Sequence, residues 1–284
     1  MNVLDLFSGI GGFTLGLEKA GFKTIAFCEI DPFCQKVLKK NWNHIPIYHD
    51  IKKLSKRDFK QKINLICGGF PCQDISLANI KGKGIHGKKS GLWFEYKRLI
   101  EEIKPKWVII ENVANLRNKG FGTILKNLYA IGYDVEWHII PAYAVGYPHR
   151  RDRIWIVANN SKCSIRYRST SKRKNFPKFY GFKKPSKTAG VLPYPKCTGL
   201  EGYFPTQKKT PSRFLSDILS KKIQKIEREI EPGILRVVDG VPDWTHRIRC
   251  LGNAVIPKIP QIIGETIMQI EKDSSTKIKD DSGY

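Results

Sequence analysis

The chain has 284 residues, of which 41% are hydrophobic, enough to build one large domain or two modest ones. Its 50 lysines and arginines outnumber its 26 acidic residues and give a formal net charge of +24, which attracts phosphate polyanions and indicates DNA, RNA or an acidic protein as a partner. The sequence has neither a secretory leader nor an apolar stretch of about eighteen residues, so we expect an intracellular soluble protein without a membrane partner.

The amino-terminal residues predict a strand, a glycine-rich turn, a helix and a second strand. Residues 2–7 are mostly apolar and lead into a turn that contains Gly9 and Gly11, and residues 13–20 form a helical pattern. The second predicted strand, residues 23–28, ends on Glu29, twenty residues beyond Gly9, where a carboxylate can accept hydrogen bonds from ribose hydroxyls. The turn is either a structural one or the binding loop of an adenosine-containing cofactor.

Three further polar residues follow predicted strands. Asp50 comes after residues 45–48, Cys72 after residues 63–67, and Glu111 after residues 107–110. Ligands of open α/β sheets bind at the carboxyl ends of the strands, so these side chains are candidates for binding and catalysis. Asp50 is equally a candidate helix cap, and Cys72 is either a nucleophile or a small buried hydrophobe.

The remaining pattern predicts an α/β fold of two unequal lobes. Helices are predicted over residues 92–103 and 122–131, strands over 135–140 and 154–158, and a last helix from near Pro257. This alternation favours a largely parallel, doubly wound (Rossmann-like) sheet with helices on both faces. We expect residues 1–158 and 249–272 to form that lobe, residues 159–248 a smaller irregular domain, and residues 273–284 a polar tail, with fraying from Glu271.

The middle of the chain is rich in basic residues. Residues 159–228 contain 18 lysines and arginines and three acidic residues, interleaved with aromatic residues and prolines. They predict a separately folded nucleic-acid-binding module, with a basic disordered linker as the alternative.

The seven cysteines are dispersed and form no C-x-x-C pair or zinc-type spacing, so we expect no disulfide framework and no metal.

Five short motifs resemble those of cytosine-5 DNA methyltransferases and occur in that family's order. They lie at residues 5–13 (DLFSGIGGF), 69–73 (GFPCQ), 111–113 (ENV), 150–153 (RRDR) and 251–257 (LGNAVIP). The resemblance covers roughly residues 1–158 and 234–268 and implies a stand-alone enzyme of prokaryotic or phage type.

The resemblance implies a covalent mechanism on a cytosine that is flipped out of the duplex. Cys72 would add to carbon 6 of the ring, and Glu111 would hydrogen-bond ring nitrogen 3 and the exocyclic amine. Because a carboxyl must be protonated to donate, we predict a raised pKa for Glu111 in a partly dehydrated pocket. Arg151 and Arg153 would flank the base. The family commonly has glutamine at the position of His149, whose role stays open.

The resemblance also implies S-adenosylmethionine as cofactor, with S-adenosylhomocysteine as product and no metal. Glu29 would hold the ribose and Asp50 the adenine amine. The positions that match the family's cofactor pocket are Phe7, Gly9, Gly11, Glu29, Ile30, Asp50, Ile51, Asn253 and Val255.

The implied substrate is a specific sequence in double-stranded DNA. Residues 74–91, rich in glycine and lysine, would close over it, and residues 159–248 would recognise it. The implied enzyme acts as a monomer in the cytoplasm of a bacterial or phage-infected cell, and whether a cognate restriction endonuclease exists is left open. The alternatives are methylation of transfer RNA, a non-catalytic nucleic-acid-binding descendant and a nucleotide-dependent oxidoreductase.

Overall fold

The computed structural model describes residues 1–71, 91–118, 120–147, 149–160, 250 and 252–280, with side chains as far as residue 274. Seven strands within these ranges form one sheet in the order β3-β2-β1-β4-β5-β7-β6. The strands are β1 (Asn2–Leu6), β2 (Lys23–Cys28), β3 (Ile47–Tyr48), β4 (Leu65–Gly68), β5 (Trp107–Val113), β6 (Asp134–Ile140) and β7 (Arg153–Asn159).

Most of the sheet is parallel. Strand β1 pairs in parallel with β2 and β4, β2 with β3, and β4 with β5. Strand β7 is antiparallel to both of its neighbours, β5 and β6. The predicted α/β class and the largely parallel sheet are therefore confirmed, and the smaller domain predicted for residues 159–248 lies almost wholly outside the described residues.

The helices that the structure describes lie between and after these strands. They are α1 (Gly12–Lys19), α2 (Pro32–Asn41), α3 (Leu92–Ile103), α4 (Phe121–Ala130) and α5 (Lys258–Asp280). Helix α3 has the predicted bounds, and α4 and α5 each begin within one residue of the predicted start. Helix α2 was not predicted, although Asp31 caps its amino terminus by accepting from the backbone N–H groups of Phe33 and Cys34, and Pro32 occupies its first position.

Side chains of the central strands alternate between the two faces of the sheet. Val3 of β1 and Leu65 of β4 point to the face that carries α1 and α5. The residues that follow them, Leu4 and Ile66, belong to the other face, which carries α3 and α4. Because both faces are covered by helices, the predicted doubly wound arrangement is confirmed.

Helix α1 packs so closely on the segment before α5 that only glycine fits at its centre. A Cβ added to Gly12 would lie 2.5 Å from the carbonyl oxygen of Val255, and one added to Gly16 would overlap the carbonyl oxygen of Pro257. The carboxyl-terminal segment therefore lies directly against the helix that follows the glycine turn.

The predicted fraying is wrong for residues 271–280, because α5 continues to Asp280, and residues 281–284 lie outside the described residues. Glu271 accepts hydrogen bonds from Lys106 Nζ (2.6 Å) and Trp107 Nε1 (2.9 Å) at the start of β5. These contacts attach the helix to the sheet at the residue where fraying was expected.

Within the ranges that the structure describes, helices long enough to cross a bilayer are not apolar enough to do so.

We expect Gly16→Ala to destabilise the fold by about 1–3 kcal/mol, because the new methyl group overlaps a backbone oxygen that cannot move aside easily. Gly122→Ala in α4 is the matched control, since nothing lies within 4 Å of an added Cβ there. The control should gain about 0.5–1 kcal/mol from helix propensity alone. Urea unfolding midpoints measure both changes, and equal shifts in the two variants would contradict the packing argument.

Candidate active site at the carboxyl edge of the sheet

The glycine turn between β1 and α1 has a backbone that few side chains tolerate. Gly9 and Gly11 have φ values of 54° and 88°, and Phe7 has φ 53° although it is not a glycine. A Cβ on Gly11 would lie 2.6 Å from the ring of Trp42, whereas one on Gly9 would have nothing within 4 Å. Gly11 is therefore required by packing, while Gly9 leaves open space in which a ligand can approach the backbone.

Glu29 holds this turn in place from the end of β2. Its carboxylate accepts from the backbone N–H of Gly9 (2.7 Å) and from that of Asp31 (2.8 Å), with one oxygen for each. The side chain is nearly buried, yet a carboxylate has about four lone-pair sites, so both oxygens keep capacity for another donor. The sequence analysis did not predict this contact. The spacing of twenty residues between Gly9 and Glu29 was the signal that could have indicated it.

Asp50 acts as a cap in the structure, the alternative that the sequence left open. Its Oδ1 accepts from the backbone N–H of Lys52 (3.0 Å) and begins a short 3₁₀ turn, Ile51–Lys53. The side chain of Ile51 is buried in the core, whereas Ile30 is 62% exposed beside Glu29. Ile30, which follows β2, therefore offers an exposed apolar surface, and Ile51, which follows β3, does not.

The carboxyl-terminal motif returns to the same region. The carbonyl of Val255 lies over Gly12, and Ala254 accepts a hydrogen bond from Arg151 Nη2 (2.8 Å). Asn253 is exposed. The structure thus brings Val255, from the far end of the chain, beside the glycine turn and joins its segment to one of the predicted arginines.

Glu111 and Arg153 meet because β5 and β7 run in opposite directions. Val113, near the end of β5, pairs with Arg153 at the start of β7, and Glu111 pairs with Trp155. Arg153 Nε lies 2.9 Å from Glu111 Oε1 in an ion pair whose two side chains are 22% and 10% exposed. A carboxyl group and a guanidinium group are thereby fixed together at the carboxyl edge.

Burial raises the pKa of Glu111, and the positive charges of Arg153 and Arg151 oppose that rise without cancelling it. The predicted direction is confirmed. A carboxyl with a raised pKa in a fixed position can donate a hydrogen bond or a proton as well as accept one.

Asp5 in β1 is a second buried carboxyl group, but its surroundings are different. Burial raises its pKa to about 7, and a hydrogen bond from Thr14 Oγ1 (2.8 Å) opposes that rise. This contact joins β1 to α1 beneath the glycine turn, which is a structural role.

The segment that leads to Cys72 lies against Glu111, although Cys72 itself is outside the described residues. A Cβ on Gly69 would lie 2.7 Å from Glu111 Oε2, so only glycine allows this approach. Asn112 Nδ2 donates to the carbonyl of Phe70 (3.0 Å) and fixes the segment two residues before Cys72. Sequence reasoning missed both contacts, and the paired glycines directly after β4 were the signal for the first.

His149 lies at the rim of this edge. It is exposed, and its ring contacts the ring of Tyr147 edge to face, with 6.2 Å between centroids. The predicted DNA-closing loop, residues 74–91, lies outside the described residues except for Gly91.

The chain is similar to known proteins in sequence and in fold. The family described as C-5 cytosine-specific DNA methylase matches residues 1–233. The chain is 38% identical over 167 residues to the Type II methyltransferase M2.BsuMI of Bacillus subtilis, which covers 56% of this chain and 42% of that relative. It is 37% identical over 164 residues to M.Eco47II of Escherichia coli, covering 55% and 39%. The chain thus matches about two fifths of the length of these relatives.

A solved structure shares the fold. It is assigned as a DNA modification methyltransferase encoded within a prophage of E. coli. The TM-score is 0.59 at 19% identity, over 96% of this chain and 99% of that one.

We expect Arg153→Met to raise the pKa of Glu111 further, because the nearest positive charge and its hydrogen bond are lost. Carboxyl ¹³C NMR of glutamate-labelled protein measures this pKa, with Glu111→Gln identifying the resonance. Arg98→Met is the matched control, since Arg98 pairs with Glu95 and Glu102 instead. A Glu111 midpoint that moves equally in both variants would contradict the assignment.

Proposed function

The chain belongs to the C-5 cytosine-specific DNA methylase family, and on that premise we propose that it methylates carbon 5 of cytosine in double-stranded DNA with S-adenosylmethionine. One observation carries the proposal beyond the family match. The buried carboxyl of Glu111, paired with Arg153, lies against Gly69 in the segment that leads to Cys72. The acid therefore lies beside Gly69, three positions before the candidate nucleophile in the sequence, at the edge that also carries the glycine turn.

The residues around the glycine turn fit S-adenosylmethionine. The open space beside Gly9 lets a ligand approach the backbone, and Ile30 offers an exposed apolar surface for an adenine ring. Glu29 would accept from the ribose hydroxyls and Asp50 from the adenine amine, with Phe7, Gly11, Ile51, Asn253 and Val255 completing the pocket. When bound, this cofactor supplies a methyl group on a positively charged sulfur, which is the electrophile of the reaction.

Cys72 would make the cytosine ring reactive. Carbon 5 is a poor nucleophile, but addition of the Cys72 thiolate to carbon 6 converts the ring into an enamine that can attack the methyl group. After transfer, loss of the proton from carbon 5 and departure of the thiolate restore the aromatic ring. The thiol must lose its proton before or during the addition, because the thiolate is the reactive form.

Glu111 would stabilise the negative charge that develops on the ring during that addition. Its raised pKa means that it takes up a proton more readily than an ordinary glutamate, and once protonated it can donate to ring nitrogen 3 while its other oxygen accepts from the exocyclic amine. Arg153 would hold the carboxyl in position, and Arg151 would connect this side of the site to the carboxyl-terminal segment through Ala254. Both arginines would flank the base.

The target cytosine must leave the duplex to reach these groups, at a cost of a few kcal/mol. We propose that residues 74–91 close over the DNA and that residues 159–248, with their excess of basic residues, recognise its sequence. The catalytic lobe would comprise residues 1–158 and 249–272. The protein would act as a monomer, and a restriction endonuclease is a candidate functional partner because the relatives are Type II methyltransferases.

The transfer RNA alternative is not favoured, because the matching family is one of DNA methylases.

We expect plasmid DNA from a methylation-free bacterial host that expresses the chain to carry 5-methylcytosine at one short sequence. The same host expressing Cys72→Ala should show none, because the covalent step is lost, while the purified variant still binds DNA. Base-resolved methylation sequencing and a DNA-binding assay measure the two properties. Substantial methylation by the variant would rule out the covalent mechanism, and a blank in both strains would direct the same assay to transfer RNA with purified protein.

We expect Glu111→Gln to slow methyl transfer by about 10²–10⁴-fold, the usual contribution of a positioned acid, while cofactor affinity changes little. Glu101→Gln is the matched control, since Glu101 forms an exposed ion pair with Lys97 on α3. Single-turnover transfer and calorimetric titration with S-adenosylhomocysteine separate the two effects. Equal losses of transfer and of cofactor affinity would argue against the proposed role.

A further inference from the structure

Two cysteines that are 216 positions apart face each other beside α2. The Sγ atoms of Cys34 and Cys250 are 3.7 Å apart. The carboxylate of Asp31 lies beside them, and the potential ligand atoms of these three residues are all within 4.8 Å of one another. No part of the proposed methyl-transfer mechanism uses this cluster.

The local fold fixes two of the three groups. Asp31 is the amino-terminal cap of α2, and its Oδ1 accepts from the backbone N–H groups of Phe33 (2.8 Å) and Cys34 (3.1 Å). Cys34, in the first turn, is 5% exposed, whereas Cys250 is only half-buried. Helix α2 therefore fixes Asp31 and Cys34, and a cation can reach the cluster past Cys250.

The separation of the sulfur atoms matches metal coordination. Two thiolates bound to one tetrahedral Zn²⁺ at about 2.3 Å have their sulfur atoms about 3.8 Å apart. A disulfide bond requires about 2.0 Å between them, so a side-chain rotation or a shift of the chain segments would have to bring the sulfur atoms closer before it formed. The observed 3.7 Å needs no such movement for metal binding.

The charges around the cluster favour a cation. The carboxylate of Asp31 lies within the cluster, and the carboxylate of Glu29 is held next to it by the backbone N–H of Asp31 (2.8 Å). A divalent cation offsets the same negative field and makes deprotonation of the thiols favourable. Cation binding and thiol ionisation are thus coupled at this position.

We propose that Asp31, Cys34 and Cys250 bind a thiophilic divalent cation such as Zn²⁺, with water as the fourth ligand. The site goes beyond the proposed methyl transfer, and it would fasten the start of the carboxyl-terminal segment to α2. Sequence spacing predicted no metal because two ligands come from one helical turn and the third from residue 250, a combination without a local signature.

Cadmium binding tests the site, because Cd²⁺–thiolate bonds absorb in the ultraviolet. The titration uses the full chain with Cys72→Ala, so that the candidate nucleophile cannot bind the probe, after chelator dialysis and with a phosphine reductant. We expect thiolate absorption to saturate with a bound Cd²⁺ that Zn²⁺ displaces. The affinity should increase with pH, because binding releases protons from the thiols.

Single substitutions assign that ion to the cluster. Cys34→Ala and Cys250→Ala should each weaken binding by more than about tenfold, since even outer-shell changes have that effect at metal sites. Cys28→Ala is the matched control for a buried cysteine, because Cys28 is 3% exposed and lies in the core. Asp31→Asn removes the charge but keeps a cap, so it should weaken binding without loss of folding and tests the site even where a cysteine variant fails to fold.

Two results would overturn the proposal. One is Cd²⁺ binding that survives Asp31→Asn and both cysteine variants with unchanged affinity. The other is mass-spectrometric detection of a Cys34–Cys250 disulfide in protein purified without reductant, together with no thiolate absorption under reductant. Because the readout is binding by a Cys72→Ala chain, it is independent of whether the protein methylates DNA.

Discussion

The reversal of β7 between β5 and β6 is the constraint on which the candidate active site depends. Strand β5 delivers Glu111 to the carboxyl edge, and β7 begins at that same edge with Arg153. Had β7 run parallel to β5, its first residue would lie at the opposite edge, about 20 Å away for a strand of seven residues. One antiparallel insertion in a parallel sheet thus creates the ion pair that fixes the carboxyl group.

The environments of the two buried carboxyl groups separate a chemical role from a structural one. Burial raises the pKa of both Glu111 and Asp5. Glu111 has Arg153 beside it and adjoins Gly69, in the segment that leads to Cys72. Asp5 instead accepts from Thr14 within the packed interface of β1 and α1, where its carboxyl stabilises the base of the glycine turn.

Elements with a local signal could be predicted from the sequence, and contacts between distant segments could not. The apolar pattern of α3 predicted both ends of that helix, and apolar runs predicted the strand ends that precede Glu29 and Asp50. The predicted end of β5 at residue 110 is wrong, because the strand continues through Glu111 to Val113 in its pairing with β7. The hydrogen bond from Asn112 to Phe70 and the approach of Gly69 to Glu111 depend on the order of β4 and β5 in the sheet. Fraying was predicted only because the residues from Glu271 onward are polar. That polarity could not show that Glu271 accepts hydrogen bonds from Lys106 and Trp107.

The carboxyl-terminal segment contacts three other parts of the molecule. Its Val255 carbonyl lies over Gly12, its Ala254 carbonyl accepts from Arg151, and Cys250 faces Cys34 on α2. Since Gly12 follows the glycine turn and Arg151 precedes β7, which carries Arg153, a displacement of this segment would disturb both sides together. The close packing that excludes any side chain larger than hydrogen at Gly12 and Gly16 opposes such a displacement, so the glycine turn and the Glu111–Arg153 pair share one structural support.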